Sequence, residues 1–89
     1  MFDLPPPAIY DHVYNGPIIV QTLSADEVAK VCKNTNAMAC ILFFPNFPGD
    51  KCFMVLPKIG KGGVTAKTYE LLLRHETAHC NGWPNNHPK

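Results

Sequence analysis

Arg74-His75-Glu76-Thr77-Ala78-His79-Cys80-Asn81-Gly82-Trp83 sets two histidines four residues apart, with a glutamate directly after the first. A helix turns about 100° per residue, so His75 and His79 project from one face, one turn apart, with Glu76 beside them. The preceding run, Thr65-Ala66-Lys67-Thr68-Tyr69-Glu70-Leu71-Leu72-Leu73, supplies good helix formers, a threonine able to cap, and apolar residues at helical spacing. Together they predict a helix over Ala66–Cys80. Gly82 is suited to the left-handed conformation that ends a helix, and Pro84 forbids its continuation.

Two imidazoles one turn apart can hold a metal, and a neighbouring carboxylate can take a proton from water bound to it, which is the arrangement of a zinc peptidase site. A catalytic zinc needs a third protein ligand and one open position. His87 is the first candidate, because Pro84, Asn85 and Asn86 suit a short reversal of the chain beyond the helix. His12 is held in reserve; an exposed histidine on an irregular segment is its ordinary role.

The stretch His75-Glu76-Thr77-Ala78-His79-Cys80-Asn81-Gly82 resembles the opening of the extended motif of the metzincin metallopeptidases, in which a glycine follows the second histidine by three positions. The third histidine of that family falls where Asn85 stands here, and no methionine follows His79 to make the family's methionine turn. The segment from Leu73 through Trp83-Pro84 to His87-Pro88 is also similar to small bacterial and phage proteins with a minimal zincin-like HExxH ending. That resemblance implies a zinc metallopeptidase with His75, His79 and His87 as ligands and Glu76 as base. It names no substrate.

Eighty-nine residues make one domain, 1–89, that buries only roughly 60 to 65% of its unfolded surface. Such a thin core calls for staples. Cys32, Cys40, Cys52 and Cys80 include no pair spaced for a structural zinc site, so two disulfides are expected. Three connectivities are open. The favoured one joins Cys32 to Cys40 across a short helix-to-strand loop, and Cys52 to Cys80, tying the histidine-bearing helix to a strand. Cys80 is rotated about 100° from its neighbour His79, which favours packing over ligation.

With a net charge of +1 from eight basic and seven acidic residues, the chain has no basic stripe for nucleic acid. No apolar run is long enough to span a bilayer, and Met1–Pro7 has neither the basic start nor the apolar middle of a secretion signal. Disulfides nevertheless point to an extracytoplasmic or secreted setting. Nothing in the sequence sets the oligomeric state.

In chain order, residues 1–17 contain Pro5-Pro6-Pro7 and read as an extended arm. Ile18–Leu23 is a β-branched first strand, and Ser24 with Glu27 forms a capping box opening a helix over about Ala25–Lys33. Met38–Phe44 and Cys52–Leu56 are apolar runs separated by breakers, expected to pair as a hairpin, with an exposed strand edge able to align a peptide. Pro57–Gly63, rich in glycine, is expected to be a flexible linker without phosphate-loop spacing.

The inferred fold is α+β: a small, mainly antiparallel sheet of about three strands with two helices, the second carrying the HExxH motif. Leu71, Leu72, Ala78, Ile41, Phe43, Phe53 and Val55 are the expected core. Trp83 either walls the site or covers the helix end. Arg74, Tyr69 and the arm tyrosines Tyr10 and Tyr14 are unranked donors for a transition-state oxyanion. The functional expectation is a zinc-dependent peptidase acting on a peptide or protein substrate, with Glu76 as general base. The alternatives are a non-catalytic binding module stapled by zinc and disulfides, and a cell-wall peptide (peptidoglycan) endopeptidase.

Overall fold

The computed structural model describes residues 6–42, 51–84 and 87. The elements run β1 (Ile18–Leu23), α1 (Ala25–Val31), β2 (Cys40–Leu42), β3 (Cys52–Pro57) and α2 (Ala66–Cys80). The sheet has three strands in the order β1-β3-β2. β3 therefore lies between two neighbours, which is why its apolar run Cys-Phe-Met-Val-Leu-Pro is buried almost throughout.

β2 pairs antiparallel with β3, Ile41 opposite Met54, as a hairpin reading requires. β1 pairs parallel with β3, with Ile18 opposite Cys52 and Leu23 opposite Pro57. The sheet is thus mixed rather than mainly antiparallel. α1 is the reason: a parallel pair needs a long crossover, and the chain from β1 passes through α1 before re-entering beside β1.

Both helices begin with the caps that their sequences specify. Ser24 Oγ accepts the Glu27 amide at 3.3 Å, and Thr65 Oγ1 accepts the Thr68 amide at 3.2 Å. α1 stops at Val31, two residues before the expected end, because Lys33 turns left-handed at φ 56°. The Asn34 amide then donates to the Ala29 carbonyl and the Lys33 amide to the Lys30 carbonyl, a Schellman closure made without glycine.

Cys52, Met54 and Leu56 alternate along β3 and form the main cluster with Leu72 of α2; Tyr14, Ile41, Tyr69 and Cys80 pack at its margin. Val28 and Val55 are buried outside that cluster, and Ala78 and Trp83 are also buried. Two expected core positions come out differently. Leu71 is 38% exposed, since one residue's rotation from Leu72 carries it toward solvent, and Phe53 is only half-buried. Phe43 lies outside the described residues.

The segment after β3 is a closed turn and not a flexible linker. The Gly60 amide donates to the Val64 carbonyl and the Val64 amide to the Lys58 carbonyl, both at 2.8 Å, while the Gly62 carbonyl accepts the Ala25 amide. A Cβ on Gly63 would stand 1.8 Å from the Lys58 carbonyl oxygen, so the close backbone approach requires glycine there. The turn delivers the chain to Thr65 and fixes where α2 begins. Two disulfides complete the frame: Cys32–Cys40 and Cys52–Cys80, with Cα–Cα distances of 5.9 and 5.8 Å.

Candidate metal centre

α2 ends in a second Schellman turn. The Trp83 amide donates to the Ala78 carbonyl and the Gly82 amide to the His79 carbonyl, with Gly82 at φ 107°. The reversal places the Trp83 carbonyl against the ring of His79, whose Nδ1 lies 2.7 Å from it. A carbonyl oxygen only accepts, so His79 Nδ1 carries the proton, and in the neutral ring Nε2 is left with a free lone pair. The His87 amide donates to the Pro84 carbonyl at 3.0 Å, and His87 takes φ 55°.

Three imidazoles come together here. The Nε2 atoms of His75 and His87 are 3.1 Å apart, and that of His79 is 3.2 Å from each. A ring nitrogen with a proton donates and one without accepts, never both. Three mutual contacts in a triangle therefore cannot all be hydrogen bonds, whatever the tautomers; at least one edge must pair like with like. Three lone pairs converging on one cation satisfy every edge at once. At a zinc–nitrogen distance of about 2.0–2.1 Å, these separations give nitrogen–metal–nitrogen angles of about 100°, close to tetrahedral. The three histidines can hold a metal ion.

Trp83 is the wall of the cluster. It is 3% exposed, stacks on His79 with an interplanar angle of 15°, and meets His75 and His87 edge-on with centroids 5.0 and 4.9 Å away. Covering the helix end and walling the site are here one role. Glu76 is 6% exposed and, among the described residues, its carboxylate has no hydrogen-bond partner; burial pushes its pKa up to about 7. Burial, followed by the charge of His79, holds the His87 imidazole below its ordinary value, which favours the neutral form that binds metal.

His12 is not part of the cluster. It is exposed, and its Nδ1 lies 3.0 Å from the Val13 carbonyl. The arm that carries it is nevertheless strapped over the end of α2. Arg74 Nε donates to both Asp11 oxygens, at 2.9 and 3.1 Å, and Arg74 Nη2 donates to Oδ2. Asn81 Nδ2 donates to the carbonyls of Tyr10 and His12 at 3.0 and 2.6 Å. Arg74 is thereby engaged by Asp11, and Tyr69 is taken up by the core margin.

Neither the strap nor the carbonyl that orients His79 was anticipated from sequence. The strap left no local signal, since its partners are more than sixty positions apart. The carbonyl did leave one: a glycine directly after a helix end, followed by an aromatic, is the pattern of a Schellman turn whose next residue folds back on the last turn.

Comparison with protein-family models, curated proteins and solved structures found no match.

Proposed function

We propose that the chain is a zinc-dependent peptidase, in which His75, His79 and His87 bind the metal through Nε2 and Glu76 is the general base. The observation that carries this reading is the triangle of Nε2 atoms, 3.1–3.2 Å on each side, flanked in sequence by a buried carboxylate. The three imidazoles would hold zinc, which when bound would supply Lewis acidity for a substrate carbonyl and a water acidic enough to react near neutral pH. Glu76 accepts that water's proton at a carboxylate oxygen and passes it to the leaving amine. Its burial matches the task, because a base with a pKa near the working pH both takes and returns a proton efficiently. Trp83 and the Trp83 carbonyl hold the rings in register, the outer support that metal-binding imidazoles normally need.

The glutamate separates this reading from a zinc-stapled binding module. A purely structural site closes its fourth position with another protein ligand, and among the described residues the metal-capable cluster consists of three histidines. Two disulfides are compatible with work in an oxidising compartment. No helix among the described residues is long and apolar enough to cross a membrane.

Elemental analysis of the purified protein beside His87→Ala, followed by a peptide-library cleavage screen on wild type and Glu76→Gln, tests the proposal. The expectation is one zinc per chain, lost or weakened in His87→Ala, and cleavage that falls about 10²–10⁴-fold in Glu76→Gln while zinc is retained. Full activity in Glu76→Gln, or no zinc even after its addition, overturns it.

A further inference from the structure

Two larger surface hollows, of about 500 and 550 Å³, lie at the end of α1 and beside the turn after β3, and no histidine of the cluster lines either. A smaller cleft does reach the cluster. It has a volume of about 90 Å³, and His79 forms part of its wall. The Cys52–Cys80 bridge closes it where β3 meets α2, Leu42 and Phe53 line its strand side, and Tyr14 of the arm completes it. From this geometry we infer that the cleft is the specificity pocket of the centre and takes a small side chain of a peptide substrate, excluding aromatic ones. This deepens the peptidase reading and rests on it.

The volume decides the size class. An apolar cavity that accepts benzene measures about 150 Å³, and a water molecule occupies about 30 Å³. A cleft of about 90 Å³ accordingly admits a side chain of about three or four heavy atoms and no six-membered ring. The walls are set by covalent and core constraints. A disulfide joins two of the lining residues, and Cys52 is 4% exposed within the main cluster, so the pocket does not widen without breaking the frame. The wall is mixed, with Ile41, Leu42, Phe53 and the disulfide supplying its apolar part and Lys51, Tyr14 and His79 its polar part, so the cleft selects by size rather than by apolarity. Tyr14 gives the arm a part in the site. The strap through Asp11 and Asn81 therefore does more than tie down a terminus: it holds one wall of the pocket in place.

The test reads the pocket without requiring turnover. Acetohydroxamate, isobutyrohydroxamate and phenylacetohydroxamate share one metal-binding group and differ in the attached side chain. Their affinities for the zinc-loaded protein are measured by calorimetry on wild type, Leu42→Ala and Tyr14→Ala. On apolar area alone the phenyl compound would bind most tightly. The inference expects the reverse in wild type, with isobutyrohydroxamate at least about tenfold tighter than phenylacetohydroxamate, the scale on which a pocket rejects excess bulk. It also expects the gap to close or invert in Leu42→Ala. Tyr14→Ala enlarges the pocket from the arm, outside the sheet, and should do the same if the Leu42 variant fails to fold. The phenyl compound binding most tightly to wild type, or an unchanged ranking in both folded variants, overturns the pocket and leaves the metal centre standing. No hydroxamate binding to protein that has retained its zinc overturns the open-site peptidase reading, and the pocket with it.

Discussion

α1 and α2 finish in the same way. Each ends in a Schellman turn, and each has a disulfide within one residue of that turn, through Cys32 in the first and Cys80 in the second. The contents differ. The α1 turn is built on Lys33, is exposed, and leads into an Asn34–Asn36 turn in which the Asn36 amide donates to Asn34 Oδ1. The α2 turn is built on Gly82 and leads into a buried tryptophan that packs against three converged imidazoles, two of them on α2 itself. One backbone device thus serves as a plain helix stop after α1 and as the scaffold of a histidine cluster able to hold a metal after α2. What distinguishes them is what the reversed chain lies against: solvent for α1, and the last turn of its own helix for α2.

Breaking the two staples in turn gives the largest expected contrast. In the chain-entropy view, the bridge with a sequence separation of 28 contributes about 3.5 kcal/mol and the one with a separation of 8 about 2.5 kcal/mol. Denaturant unfolding of Cys52→Ala/Cys80→Ala should therefore show the greater loss. Competition with a chelator should show weakened zinc in that variant alone, since only Cys80 adjoins a histidine of the cluster. Equal zinc affinity in the two double variants would mean that the second staple is irrelevant to the centre.

The buried carboxylate sharpens the contrast through pH. In the metal-free protein the folded pKa of Glu76 is raised to about 7, from 4.5, by burial, so between these values the native state binds more protons than the unfolded state. Stability should fall as pH rises through this window, by an amount on the order of 3 kcal/mol, and the penalty should persist above it. Glu76→Gln should lack the fall, so metal-free wild type and variant should diverge at pH 8 and converge at pH 4 in thermal or denaturant melts. Parallel pH profiles would remove burial as the cause.

The smallest effect concerns the turn residues themselves. Gly82→Ala meets no steric obstacle, its nearest foreign neighbour being Tyr10 Cε1 at 3.8 Å, so its cost of about 1 kcal/mol is purely that of the left-handed backbone. Lys33→Gly relieves the same strain at the end of α1 and should stabilise by about 0.5–1 kcal/mol. Opposite signs in matched melting experiments would establish that the two turns are energetically alike. Only Gly82→Ala should also loosen zinc, because it alone displaces the carbonyl that orients His79.

The boundaries of β1 and α2 and both helix caps were legible in the sequence, because each is set by neighbours a few residues apart: β-branched runs, a capping hydroxyl three residues before its amide, a glycine after a last turn. The end of α1 was misread because Lys33 adopts a conformation that its side chain does not advertise. The favoured cysteine pairing is the one that the structure forms, and His87 was placed with His75 and His79 by the turn-forming residues before it.

The rest came from packing between distant parts of the chain. The direction of β1 was settled by the α1 crossover, and the exposure of Leu71 by which face of α2 meets β3. The order of the glycine-rich turn depended on a backbone contact with Lys58, and the capture of Arg74 on an aspartate in the arm. The sequence alone determined which residues could bind a metal, since ligand chemistry and helical spacing are local properties. Only the tertiary structure decided that three nitrogens lie close enough to share one cation, that Glu76 is buried, and that Tyr14 lines a cleft with His79. Those distances are fixed by the sheet, the second disulfide and the strapped arm, and no local pattern specifies them.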